Sequence, residues 1–124
     1  MSQRTVLYVE DNEFNRKIVR QLLSATTYRL LEATNGEQGV ATAIEAQPDV
    51  ILMDVQLPNL SGLDATRRLR QDPATAGIPI IVVTSFALSG DDQKAQEAGA
   101  SAYLAKPYSP RELLALIRKF APET

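Results

Sequence analysis

The chain has 124 residues, 44% of them apolar and 23% charged, enough for one folded domain with a core and too few for a second. Lys plus Arg number 13 against 15 Asp plus Glu, a formal charge of −2, so no basic footprint for nucleic acid is expected. The complete lack of Cys and His removes disulfides, thiolate nucleophiles, the common zinc sites and a histidine base, which leaves chemistry to carboxylates, hydroxyls and lysines.

In chain order, short β-branched runs alternate with longer amphipathic stretches, the pattern of βα units around a parallel sheet. Thr5–Val9 reads as the first strand and is followed at once by Glu10-Asp11; Phe14, Ile18, Val19, Leu22 and Leu23 then recur at helical spacing. Arg29–Ala33 reads as the second strand, and Asn35-Gly36 as the start of a second helix. Val50–Met53 is a continuous apolar run, as expected for a central strand covered on both faces, and it ends on Asp54. Arg67-Arg68-x-Arg70 falls on an amphipathic third helix, where a solvated face is the expectation, and Arg16, Lys17 and Arg20 on the first helix invite the same one.

Ile80–Thr84 is the fourth strand, with Ser85 and Phe86 following. The fourth helix, from a capping-box spacing at Ser89 and Asp92 to Ala98, has only Leu88, Ala95 and Ala98 to bury and is expected to be the weakest and the readiest to move. Ala102–Ala105 gives the fifth strand and leads into Lys106-Pro107; Ser109-Pro110 starts a last helix carrying Leu113, Leu114, Ile117 and Phe120. The expected architecture is therefore α/β, a (βα)5 doubly wound parallel sheet over residues 1–124, as a single domain without an output domain. No run could span a bilayer and no signal peptide is evident, so a cytoplasmic protein without a membrane partner is expected.

Ligands of parallel α/β sheets collect beyond the carboxyl ends of the strands. Those ends carry Glu10, Asp11, Asp54, Thr84 and Lys106, three carboxylates with a hydroxyl and an ammonium. Carboxylates about 5 Å apart repel by roughly 3 kcal/mol per pair at an effective dielectric near 20, so a cation is required. Magnesium takes one or two carboxylates with waters and a phosphate oxygen, and the backbone carbonyl of Gln56 could add a ligand. A carboxylate so neutralised can attack phosphorus to form an acyl phosphate, with Lys106 meeting the equatorial oxygens, Thr84 donating its hydroxyl and Ser85 its N–H. Alone, Asp54 would be a helix cap, Lys106 a surface charge, Thr84 an ordinary strand residue and Tyr103 a half-buried strand aromatic; together they make a site.

Val9-Glu10-Asp11-Asn12, Leu52 to Pro58 with the Gly62 that follows, Val83-Thr84-Ser85 and Ala105-Lys106-Pro107 closely resemble the receiver domains of two-component response regulators. The resemblance covers almost the whole chain. Within the family it is most similar to stand-alone cell-division regulators of the DivK type and to hybrid-kinase receivers, which share the Glu-Asp-Asn-x-x-Asn start of Glu10 to Asn15. It implies a flavodoxin-like CheY fold with strand order 2-1-3-4-5, and Asp54 as acceptor from a phosphohistidine on a sensor histidine kinase or phosphotransfer protein. Magnesium (Mg2+) would be held by Asp11, Asp54 and the Gln56 carbonyl, with Glu10 acting through a water. Thr84 and Tyr103 would form the switch pair, the peptide before Pro107 would be cis, and a kinase would dock on the first helix. Phe86 and Gln56 stand where the family tunes phosphoryl lifetime. Output would be a protein contact through the fourth helix, fifth strand and fifth helix, in a signalling protein and not an enzyme. The alternatives are an excised receiver of a hybrid histidine kinase, and a magnesium-dependent aspartyl-phosphate phosphohydrolase; the latter usually carries a second acid where this chain has Gln56.

Overall fold

A computed structural model describes residues 3–84 and 91–123. Within them the chain alternates strands and helices: β1 Thr5–Val9, α1 Glu13–Ser24, β2 Arg29–Ala33, α2 Gly36–Ala46, β3 Val50–Asp54, α3 Gly62–Gln71, β4 Ile80–Thr84, α4 Asp91–Ala98, β5 Ala102–Ala105 and α5 Pro110–Phe120. The strands form one sheet in the order β2-β1-β3-β4-β5, and each neighbouring pair runs parallel. This is the flavodoxin-like arrangement expected from the sequence. β3 runs one residue further than its apolar stretch because Asp54 stays in the ladder opposite Val83.

Side chains alternate across the sheet, and β1 shows how that builds two cores. Val6 and Tyr8 join Val19 and Leu23 of α1 and Leu113 and Ile117 of α5 on one face. Leu7 and Val9 join Ala43 of α2, Ala65 and Leu69 of α3 and Ala95 of α4 on the other. Every residue of β3 and β4 is buried, which is why those strands read as unbroken apolar runs.

The caps follow side-chain chemistry. Asn35 accepts from Gln38 N–H at 2.8 Å, and Ser109 accepts from Glu112 N–H at 3.1 Å while Glu112 accepts from Ser109 N–H at 3.4 Å, a complete capping box. Asn12 and Ser61 cap α1 and α3 in the same way. The cap expected at Ser89, with Leu88, lies outside the described residues, as do Ser85 and Phe86. α4 is the shortest helix among those described, at 8 residues.

Within the arginine run on α3, Arg67 and Arg68 lie on the exposed face expected of them and Arg70 departs from it. Arg70 donates to the carbonyls of Gly99, Ala76 and Ile78 at 2.8, 3.0 and 2.6 Å and to Ser101 Oγ at 3.2 Å. Its planar fork ties α3 to the loops before β4 and β5. Gly99, at φ 105°, leaves room for it: a Cβ there would stand 2.6 Å from Arg70 Cγ. Arg67 behaves as expected, pairing with Asp64 at the surface.

Candidate functional site

The strand order reverses direction at β1, so the crevice beside it opens between the carboxyl ends of β1 and β3. Glu10 follows β1 directly and is held in register by its N–H, which donates to Ala33 O at 2.9 Å. Asp54 ends β3, and Gln56 N–H donates to its Oδ1 at 2.9 Å. Lys106 follows β5, its N–H donating to Thr84 O at 2.6 Å, and the Lys106–Pro107 peptide is cis, as the resemblance implied. Three strand ends thus deliver three charged groups to one point. Glu10 is 1% and Asp54 3% exposed.

Lys106 Nζ lies between the two acids, 3.0 Å from Glu10 Oε1 and 3.1 Å from Asp54 Oδ2. Burial works against the lysine's charge, and the two carboxylates overcome it, so its pKa is raised. Burial, then the Glu10 carboxyl, push Asp54 up to about 6. Burial also opposes ionisation of Glu10, but contact with Asp54 and with the ammonium brings it down to about 2. One lysine therefore neutralises one acid, and the second keeps a demand for positive charge. Asp11 is exposed; partial desolvation and the adjacent Glu10 carboxyl raise its pKa. Among the described residues no three acidic side chains close on a common point as metal ligands do.

Thr84 is buried at the end of β4. Two residues back on that strand, Val82 is the register partner of Tyr103, so Thr84 and Tyr103 occupy the same face of the sheet, the one covered by α2, α3 and α4. Tyr103 is half-buried and borders a hollow of about 260 Å³ with Ala95 and Gln96 of α4.

The backing of the site is closer than its spacing in sequence suggests. A Cβ on Gly62, at the start of α3, would sit 1.9 Å from Asp54 O, and Gly62 N–H donates to Val55 O at 2.9 Å. The absence of a side chain lets α3 begin directly against the end of β3. Arg16, expected on a solvated face, donates to Glu10 O at 2.8 Å and pairs with Glu32 at 3.4 Å. Tyr8 and Asn15 also reach the site, each donating to Glu10 Oε1 at 3.2 Å. Tyr8 could have been found from strand periodicity, since it stands two residues before Glu10 on the same face.

The profile of the response regulator receiver domain matches residues 6–118. The polar-differentiation response regulator DivK of Brucella anthropi is 40% identical over 117 residues, 94% of this chain and 95% of that protein. The receiver domain of sensor histidine kinase PA1611 from Pseudomonas aeruginosa, solved with a magnesium ion coordinated in its active-site cleft, is 36% identical with a TM-score of 0.88 over 96% of this chain and 98% of its own. The chemotaxis protein CheY4 of Vibrio cholerae superposes with a TM-score of 0.89 at 28% identity, covering 96% of this chain and 99% of its own. Profile, relatives and superposition agree, and the chain belongs to the response regulator receiver domains, the phosphorylation-controlled signalling modules of two-component systems.

Proposed function

We propose that Asp54 accepts a phosphoryl group from a phosphohistidine on a sensor histidine kinase or phosphotransfer protein, in a magnesium-dependent reaction, and that the phosphorylated form signals by binding a protein partner. The observation that carries this is the buried Asp54 carboxylate, 3.1 Å from Lys106 Nζ and pushed up to about 6. It is a nucleophile whose local charge is only partly met. The donor set suits a hard divalent cation: Asp11 and Asp54 offer carboxylates, Gln56 its carbonyl, and Glu10 a second-sphere acceptor. Bound there, magnesium supplies the remaining positive charge that attack on phosphorus needs.

The residues divide the remaining work. An Asp54 oxygen forms a bond to phosphorus as the phosphorus–nitrogen bond of the donor breaks, giving an acyl phosphate and a histidine that recovers its proton from solvent. Lys106 moves with the charge, from the carboxylate pair towards the phosphoryl oxygens. Thr84 turns its hydroxyl to the same group, and Tyr103, on the same sheet face, shifts its ring into the space beside α4. A phosphoryl group adds about −1.5 to −2 charge, and the face made by α4, β5 and α5 changes shape in response. The downstream partner shifts the population only by its differential affinity for the two states.

The upstream partner has a surface of its own. A groove of about 400 Å³ runs between α1 and the segment from Lys106 to Pro110, and Phe14 and Ile18 leave apolar surface on α1 at 69% and 42% exposure. Likeness to the receiver domain of a sensor histidine kinase as well as to DivK supports a second context, the same domain acting inside a larger kinase. In either context it acts as a switch and not through turnover.

Incubation with acetyl phosphate and magnesium should add one phosphoryl mass, not formed when magnesium is chelated beforehand and absent in Asp54→Asn. An undiminished adduct in that variant would refute the assignment.

A further inference from the structure

The Glu10 carboxylate is held more firmly than its neighbours. Its Oε1 accepts from Lys106 Nζ at 3.0 Å, from Tyr8 Oη at 3.2 Å and from Asn15 Nδ2 at 3.2 Å, while Oε2 accepts from Asn12 N–H at 3.3 Å. Three donors saturate the two lone pairs of Oε1. A further donor, such as a water on a cation, must therefore address Oε2.

Tyr8 makes its bond from inside the core. It is 1% exposed, packed with Leu52, Leu113 and Ile117. A phenol keeps its proton at neutral pH, so at 3.2 Å the Tyr8 hydroxyl is the donor to the Glu10 carboxylate. Asn15 approaches from α1, with its backbone N–H bonded to the Asn12 cap. The two residues grip one oxygen from different sides.

We propose that Tyr8 and Asn15 are positioning residues for Glu10, fixing its carboxylate beside Asp54 in the orientation that serves the divalent cation. This rests on the cation site proposed above. Partners that orient a ligand or its water commonly account for about 10–100-fold in metal affinity.

The test is calorimetric titration of magnesium chloride into the unphosphorylated protein. Tyr8→Phe keeps the ring and removes only the hydroxyl; it should raise the magnesium dissociation constant by about tenfold. Asn15→Ala, at a half-buried helix position, should do the same and carries the test should Tyr8→Phe fail to fold. At saturating magnesium the phosphorylation rate of both variants should return to about the wild-type value, a split that general loss of structure would not produce. Folded variants that bind magnesium as wild type does would overturn the proposal, and so would a wild type that binds no magnesium. A wild type that binds magnesium but takes no phosphoryl group would refute the acceptor role of Asp54 and leave the calorimetric comparison decisive for Glu10.

Discussion

Replacing Asp54 by Asn should make the protein more stable at neutral pH, and the magnitude follows from the site's electrostatics. The Asp54 carboxyl is raised from 3.8 to about 6 by burial and by Glu10, a displacement worth about 3 kcal/mol at about 1.4 kcal/mol per pH unit. Because the folded form binds its proton more tightly than the unfolded chain, the cost is fully present above pH 6. It fades as pH falls through this range and is gone only below 3.8, where both states are protonated. Glu10 runs the other way: lowered from 4.5 to about 2, it contributes stability above pH 4.5 that is lost as pH falls to 2. The combined contribution of these two carboxyls is therefore greatest near pH 4 to 4.5, between the two windows. The amide introduced by Asp54→Asn carries its own desolvation cost, so the expected gain is about 2 kcal/mol at pH 7.5, shrinking towards zero at pH 4. Urea unfolding of both proteins in chelator at those two values measures it. No gain at pH 7.5, or an equal gain at both, would refute the account of an under-neutralised carboxylate.

Other perturbations probe the scaffold and the ammonium. Gly62→Ala forces a Cβ to within 1.9 Å of a backbone oxygen; a loss of about 2 kcal/mol, or about 8 °C in melting temperature, should appear in a thermal scan. Arg70→Ala should cost about 2 kcal/mol in urea unfolding through its lost charged hydrogen bonds, and Arg70→Lys should not restore it because a point charge cannot serve four acceptors at once. Lys106→Met should slow phosphorylation by acetyl phosphate about a hundredfold, measured as the rate of adduct formation by intact mass.

The strands are legible because their residues satisfy two demands together, as Val50 to Met53 do: high strand propensity and continuous apolarity for burial on both faces. The site is legible for the same reason, since a charged residue directly after such a run has one place to go, the carboxyl edge of the sheet. What cannot be read is what depends on distant backbone. Arg70 finds carbonyls contributed by Gly99, 29 residues on, and no periodicity along α3 announces them. The position of Lys106 between Glu10 and Asp54 depends on how β5 lies against β4 and brings its end to theirs. Asp11, placed by sequence in the same acidic group, is exposed where Glu10 and Asp54 are buried, a difference in burial that spacing along the chain does not give.

The most direct measurement is to locate the phosphoryl group itself. The protein would be phosphorylated with acetyl phosphate and magnesium, the acyl phosphate reduced with borohydride, and the peptides sequenced by mass spectrometry. Conversion of Asp54 to homoserine is the predicted result; a label on Asp11, on Thr84 or spread over several residues would contradict it.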